Sequence, residues 1–96
     1  MFAIAFDLIV EETRKHHPVS VREAYRDIGR TLKQFGFEWV QGSVYITEDE
    51  SMTNLFAATQ ALAALPWFSA SVRDLRSFRV ENWSDFTPLV KGDLAT

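Results

Sequence analysis

The chain has 96 residues, of which 47% are hydrophobic and 14% aromatic, a net charge of -3 and no cysteine. A chain of this length forms one domain with a small core, and without cysteine it has neither disulfides, nor thiolate metal sites, nor a cysteine nucleophile. The negative charge argues against strong nonspecific binding to nucleic acid, although it leaves room for a local basic patch.

The first predicted element is a β-strand over residues 2–10, a nearly continuous apolar run that contains one acid, Asp7. Such a run is typical of a strand that is covered on both faces. An ionised carboxylate taken out of water needs a partner, a metal ion or a proton, so Asp7 is a candidate functional residue. The alternative is an aspartate that starts a turn at the strand end. Alternation of side chains places Phe2, Ile4, Phe6 and Leu8 on one face and Ala3, Ala5, Asp7 and Ile9 on the other.

Residues 11–17 are polar and are followed by Pro18, which predicts a loop. This segment contains two adjacent histidines, His16 and His17. Adjacent side chains do not converge well on one metal ion, so we interpret the pair as solvated. A general-base role for one of them stays open, because they follow the end of the strand that carries Asp7.

Two helices with a hairpin between them are predicted next. Ser20 and Glu23 form a capping box at the start of the first helix, and Gly36 is placed to end it. Two aliphatic and aromatic runs flank Gln41-Gly42, which predicts a β-hairpin. The second helix ends at Pro66. The apolar residues at helical spacing are Val21, Tyr25, Ile28, Leu32 and Phe35 in the first helix and Leu55, Ala58, Leu62 and Leu65 in the second.

The last predicted strand covers residues 71–81 and follows Trp67-Phe68, which we expect in the core. Leu75 and Phe78 have opposite parity within this strand. That shift predicts a bulge near Arg76-Ser77, an irregularity that is common beside functional sites.

We predict one domain over residues 1–96 with a C-terminal extension over about 82–96. Thr87-Pro88 is typical of the start of a short helix, and we expect Trp83 and Phe86 to pack on the sheet or on a partner subunit. No segment has the length of a membrane span or the charge pattern of a signal peptide, so we expect a cytoplasmic protein without membrane contact.

The order of elements predicts an α+β, ferredoxin-like βαββαβ fold with two helices on one face of an antiparallel sheet. The first and last strands would be neighbours at the sheet centre, which brings Asp7 near Arg73, Asp74 and Arg76. The helix-free face would stay uncovered, and a second copy of the chain is the simplest cover. We therefore predict a homodimer through that face.

Three motifs carry a resemblance to a known family. They are Ala5-Phe6-Asp7 near the N-terminus, the GFEWVQGSVY segment over residues 36–45, and the SVRDLRSFRVE segment over residues 71–81. Together they resemble VapD, the virulence-associated protein D family, and the resemblance runs from about Met1 to Lys91.

The resemblance implies a small ferredoxin-fold homodimer, similar to the CRISPR-associated integration-complex nucleases, that acts as an endoribonuclease and in some bacteria as the toxin of a toxin-antitoxin pair. It also implies that a strand-one aspartate from each subunit meets at the dimer interface. Asp7 stands at that position, and Ser43 and Asp74 match the other positions associated with RNA cleavage. The segment around Thr13 departs from the family pattern, so it contributes no site residue.

We therefore predict an endoribonuclease whose catalytic residues are Asp7, Ser43 and Asp74. The Asp7 pair would bind a divalent cation, Mg²⁺ or Mn²⁺, or would share a proton. Arg73 and Arg76, with Tyr45, would bind the RNA substrate, and Ser43 would position the phosphate; the alternative for the arginines is a solvated strand face. An antitoxin protein would be a further partner.

A different class of function is also compatible with these residues. In that alternative the chain is a noncatalytic dimeric RNA- or protein-binding module in which Asp7 is structural, since ferredoxin-like folds host many such modules. An acid on the small-residue face of a buried strand favours the enzyme, and RNA cleavage that is lost in Asp7→Asn separates the two alternatives.

Overall fold

The computed structural model describes residues 1–92, so residues 93–96 of the predicted C-terminal extension lie outside the described part. Its four strands form one antiparallel sheet in the order β2-β3-β1-β4. The elements are β1 (Phe2–Leu8), α1 (Val10–His16), α2 (Val21–Lys33), β2 (Glu38–Gln41), β3 (Val44–Thr47), α3 (Met52–Ala63), α4 (Phe68–Ser71), β4 (Val72–Arg79) and α5 (Thr87–Lys91).

This α+β arrangement is consistent with the predicted ferredoxin-like fold. One detail of the prediction is wrong: β4 neighbours β1 but lies at the sheet edge, and the two central strands are β1 and β3. Within residues 1–92, none of the helices combines the length and the apolar character that crossing a bilayer requires.

The core lies between one face of β1 and the two long helices. The alternating residues predicted for one face of β1, from Phe2 to Leu8, are all buried. Every second residue of β1 thus contributes to the core, as a strand with one face against helices must. The helices supply Ala24, Ile28 and Leu32 from α2 and Leu55, Ala58 and Leu62 from α3, and Phe37, Trp67 and Phe68 complete the cluster.

The predicted helix and turn signals occur where the sequence places them. The Ser20 side chain accepts a hydrogen bond from the Glu23 backbone N–H at 3.1 Å. Gly36 has a φ of 80° after α2, and Gly42 has a φ of 45° in the hairpin turn. Both glycines adopt the left-handed conformation that side chains with a Cβ avoid. Pro88 lies in the first turn of α5.

The loop predicted over residues 11–17 is instead the helix α1. Acidic residues occupy its first turn and basic residues its last turn, which suits the helix dipole. Thr13 is its buried residue, and the Thr13 hydroxyl donates to the Ile9 carbonyl at 2.8 Å. An apolar stripe could not reveal this helix, because the residue that it turns toward the core is a threonine.

His17 is also not solvated, because its side chain is buried at the end of α1. Its Nδ1 accepts from the backbone N–H groups of Val19 and Ser20, at 3.0 and 3.2 Å. The hydrogen therefore lies on Nε2, which donates to Asp27 Oδ2 at 2.7 Å. The ring also meets the edge of Trp67, with centroids 4.9 Å apart. His17 thus holds α1, α2 and the start of α4 together.

The bulge predicted near Arg76-Ser77 is at a different place. Pairing of β4 with β1 runs without interruption from Asp74 to Arg79, and the register shifts at Arg73, which has no partner in β1. Leu75 and Phe78 differ in parity because Leu75 pairs on the helix-bearing face and Phe78 on the opposite face.

Candidate active site

The helix-free face of the sheet carries the predicted site. Directly paired residues of antiparallel strands share a face, so the face of Asp7 can be followed across the sheet by its register. It is built from Ala3, Ala5 and Asp7 of β1, Val44 and Ile46 of β3, and Asp74, Arg76 and Phe78 of β4.

Two acids stand directly opposite each other at one end of this face. Asp7 of β1 is the cross-strand partner of Asp74 of β4. Like charges in this position are destabilising, and two guanidinium groups compensate them. Arg73 Nε lies 3.2 Å from Asp7 Oδ2, and Arg76 Nε donates to Asp74 Oδ1 at 3.2 Å. The predicted neighbours of Asp7 are therefore assembled within one subunit.

The bulge explains how adjacent residues of β4 reach the same place. In a regular strand Arg73 would point away from Asp74. As the extra residue of the bulge, Arg73 escapes this alternation and contacts Asp7. The sequence contains a signal for this bulge. Val72 and Leu75 are both apolar and both pair on the helix-bearing face, but they are three positions apart, whereas residues on one face of a regular strand are two or four apart.

These ion pairs are exposed to solvent. The side chains of Asp7 and Arg73 are 65% and 62% exposed. Exposed pairs contribute about 0–1 kcal/mol, so little free energy opposes the transfer of a guanidinium group from its carboxylate to a phosphate. The planar fork of arginine donors matches phosphate oxygens well.

Ser43 lies beside this end of β1. The residue is half-buried in the turn after β2, and its carbonyl accepts from the Phe6 N–H at 3.1 Å. The turn thereby places Ser43 next to the residue that precedes Asp7.

Tyr45 is separated from the other predicted site residues by the sheet. It pairs with Ile4 and so faces the helices, where its ring lies 6.3 Å from that of Phe6. Burial raises the pKa of the Tyr45 phenol above its usual value of 10.0. Its hydroxyl is close to Gly29, where an added Cβ would approach the oxygen to 2.9 Å. Within one subunit Tyr45 therefore cannot touch a phosphate held at Asp7.

The carboxylate oxygens at Asp7 are ligands of the kind that a hard divalent cation such as Mg²⁺ prefers. Magnesium keeps several waters and is bound through one or two carboxylates with the substrate phosphates, and the opposed carboxylates of Asp7 and Asp74 provide that minimum. In the described part of the chain no group of three or more histidine, aspartate or glutamate side chains forms a metal-binding cluster. A closed structural zinc site, which needs four ligands, is not built from these residues.

An open recess with a mixed apolar and polar lining lies further along the same face; its polar lining residues are Gln41, Ser84, Asp85 and Thr87. It has a volume of about 450 Å³, and aromatic rings on its wall remain exposed in the single chain. Such surfaces mark contacts with another protein. The apolar residues lining it are Ala3, Val40, Val44, Ile46, Phe78, Val80 and Trp83.

Comparison with known proteins gives a consistent result over nearly the whole chain. The sequence model of the family described as "CRISPR associated protein Cas2" matches residues 1–87. The "Endoribonuclease VapD homolog" of Neisseria gonorrhoeae is 57% identical over 95% of this chain and 99% of its own length. The "Endoribonuclease VapD" proteins of Haemophilus influenzae and Dichelobacter nodosus are 54% and 50% identical, over 95% and 96% of this chain and 99% of theirs. The chain therefore belongs to the VapD family and to the family described as CRISPR associated protein Cas2.

Proposed function

We propose that this protein cleaves RNA at a site that two copies of the chain form around their Asp7 carboxylates. Membership of the VapD family makes it an endoribonuclease, since its relatives carry that name. What we propose here is the location of the cleavage site and its formation by two copies of the chain. The observation that carries it is an exposed acid, Asp7, on the central strand β1, on the same sheet face as exposed aromatic rings.

The recess on this face supports the dimer. A two-fold dimer through this face would cover Ala5, Phe78 and Trp83 and would bury at least about 1,200–2,000 Å² in total. The family resemblance implies that a strand-one aspartate of each subunit lies at this interface, where the two Asp7 carboxylates would face each other across the two-fold axis. Trp83 and Phe86, which the sequence predicts to pack on the sheet or on a partner subunit, are exposed in the single chain, and we propose that the partner covers them.

Each residue of the site then has a role. One Asp7 carboxylate takes the proton of the attacking group, which is either water or the RNA 2′-hydroxyl. Alternatively, the two carboxylates share a proton, and one of them gives it to the leaving oxygen. Arg73 and Arg76 move from their carboxylates to the phosphate and balance its charge in the transition state. Ser43 hydrogen-bonds a phosphate oxygen. A divalent cation, if bound by Asp7 and Asp74, would supply Lewis-acid assistance to the same phosphate.

The structure favours the carboxylate over the histidines as the base. Both nitrogens of His17 are engaged in hydrogen bonds inside the protein. His16 is exposed, and its Nδ1 lies 2.8 Å from the Glu12 carbonyl, so only Nε2 could take a proton from RNA. Asp7, in contrast, is fixed by the pairing of β1 with β4.

The test is end-group analysis of RNA cleaved with and without EDTA. Attack by water leaves no 2′,3′-cyclic phosphate, whereas attack by the RNA 2′-hydroxyl leaves one. We expect Asp7→Asn to lose cleavage by at least about 100-fold and the matched control Glu48→Gln, an exposed acid outside the site, to retain it. Full activity of Asp7→Asn together with loss in His16→Ala would make Asp7 structural and the histidine the base.

We further propose that RNA cleavage by this chain acts in the cytoplasm as the toxin of a toxin-antitoxin pair, with a protein antitoxin as partner. Support comes from the family resemblance, and the expected consequence is growth arrest. Induced expression should slow growth of the host bacterium, and Asp7→Asn expressed at the same level should not. Equal arrest by both forms would contradict the toxin role.

A further inference from the structure

A groove on the helix-bearing side of the molecule, between α2 and the β2–β3 hairpin, is lined by cations and aromatic rings. It lies on the side of the sheet opposite Asp7, and its volume is about 580 Å³. We call it the basic groove. Its lining residues are Arg22, Tyr25, Arg26, Gly29, Arg30 and Lys33 of α2, with Trp39, Gly42 and Tyr45 of the hairpin.

The charge of the basic groove contrasts with that of the whole protein. The chain has a net charge of -3, yet four of its ten lysines and arginines line this groove and no acid does. Spacings of three and four residues place Arg22, Arg26, Arg30 and Lys33 along one face of α2.

Acids beside the groove neutralise only part of this charge. Arg26 pairs with Glu23 at 2.8 Å, and Arg30 pairs with Asp27. Within residues 1–92, Arg22 and Lys33 form no ion pair. The groove therefore offers at least two cations at opposite ends of α2 and two more held by exposed pairs, which are weak.

The aromatic rings are exposed and held in position. Trp39 lies on the edge strand β2, is 61% exposed, and donates its Nε1–H to the Gly42 carbonyl at 2.9 Å. Tyr25 is partly exposed, and its ring packs 6.1 Å from that of Phe6. Fixed, solvent-facing rings beside cations are the platforms on which unpaired bases stack.

We propose that the basic groove binds single-stranded RNA, with phosphates on the cations of α2 and a base stacked on Trp39. A duplex would keep its bases stacked on one another and could not use the rings. The groove reaches Gly42, and the next residue, Ser43, is hydrogen-bonded to the strand of Asp7. An RNA strand that leaves the groove over this turn arrives at the end of β1. The groove is thus a binding site separate from the proposed cleavage site, and its affinity does not depend on cleavage.

The experiment measures binding of a labelled 2′-O-methyl RNA oligonucleotide of about 12 nucleotides by fluorescence anisotropy in EDTA. The methyl groups block attack by the 2′-hydroxyl, so binding is read without cleavage. Arg22→Gln with Lys33→Gln should weaken binding about tenfold, and the slope of log affinity against log salt should flatten by about 0.7 for each phosphate that is no longer neutralised. The matched control, Arg14→Gln with Lys15→Gln, removes the same charge from α1 and should stay within about twofold.

A second pair of variants tests the stacking. Trp39→Ala should weaken binding about tenfold, and Trp39→Phe should retain most of the affinity because it keeps a ring. Phe56→Ala removes an exposed ring from α3, outside the groove, and serves as the control. Circular dichroism melting curves establish that each variant is folded.

Three outcomes would overturn the proposal. Equal losses in the groove and α1 double variants would mean a response to net charge alone. Binding of blunt duplex RNA as tight as that of the single strand would exclude base stacking. Displacement of the RNA by an acidic peptide, with affinity unaffected by Trp39→Ala, would identify the groove as a protein-binding surface. Cleavage is tested by Asp7→Asn and binding by the groove variants, so the two proposals can fail separately. If cleavage is lost in Asp7→Asn while binding falls equally in the groove and α1 double variants, only the groove proposal is overturned.

Discussion

Two acid–base pairs on opposite sides of the sheet differ in how far they are buried. On the helix-bearing side, the His17 and Asp27 side chains are 2% and 26% exposed and meet at 2.7 Å. On the helix-free side, Asp7 and Arg73 are mostly exposed and meet at 3.2 Å. The His17–Asp27 pair connects helices, and both ring nitrogens of His17 are occupied by hydrogen bonds inside the protein. The exposed pair stabilises the fold little and can exchange its partners. Burial, more than residue type, separates the structural pair from the candidate catalytic pair.

The largest effect on RNA cleavage should come from a substitution that prevents dimer formation through the helix-free face. Phe78→Asp places a charge on the apolar surface that we assign to the dimer, so the protein should become monomeric. RNA cleavage should fall by at least about 100-fold, because the second carboxylate is lost. Light scattering and a gel assay measure the two effects. The control is Phe56→Asp, which changes an exposed ring on α3. A dimer that survives Phe78→Asp would place the interface elsewhere.

The next effect concerns the buried pair. Asp27→Asn weakens the hydrogen bond from His17 and should lower the free energy of unfolding by about 1–3 kcal/mol near neutral pH. Removal of the exposed acid by Asp7→Asn should cost less than about 1 kcal/mol. Thermal or urea unfolding of the two variants measures this contrast. Similar losses in both would mean that burial does not distinguish the pairs.

The same pair predicts a dependence on pH. The hydrogen bond from His17 holds the pKa of Asp27 below its usual value of 3.8. A carboxyl group with a lowered pKa in the folded state stabilises the protein fully above its usual pKa, and this stabilisation is lost as pH falls through the lower folded value. The gap in Tm between the unmodified protein and Asp27→Asn should therefore be full near neutral pH and should narrow below pH 3.8. A gap that widens in acid would contradict the assigned hydrogen bond.

A smaller difference in kcat/KM should distinguish an arginine at the proposed site, Arg73, from one on the helix-bearing face, Arg79. Arg73→Gln removes a phosphate ligand from the proposed site and should lower kcat/KM for RNA about tenfold. Arg79 of the same strand faces the helix-bearing side, where it pairs with Glu50 at 2.7 Å and lies 4.7 Å over the Phe2 ring. Arg79→Gln should leave kcat/KM nearly unchanged. Equal losses would mean that the arginines act only through general charge.

The smallest effect should be that of the Tyr45 hydroxyl. Because the sheet separates Tyr45 from Asp7, Tyr45→Phe should change the cleavage rate by less than about twofold. Steady-state kinetics measure it. A loss of 100-fold would bring Tyr45 into the catalytic site, through a partner subunit or a different sheet arrangement.

The sequence by itself determined the elements whose signals are local. The cap at Ser20, the turn at Gly42 and the alternation around Asp7 each depend on neighbours within a few positions, so they could be read along the chain. These features also placed Asp7, Arg73, Asp74 and Arg76 together, because the order of strands makes β1 and β4 neighbours.

The tertiary structure alone decided the rest, because those features depend on contacts between distant segments. The helix α1 turns Thr13 toward the core without an apolar stripe, and His17 is buried by Trp67, which lies fifty positions further along the chain. The register of β4 on β1 decides that the extra residue is Arg73, and that of β3 on β1 decides that Tyr45 faces the helices. A shift of one residue in either register would move these side chains to the opposite face, and only the complete packing of strands and helices selects one register.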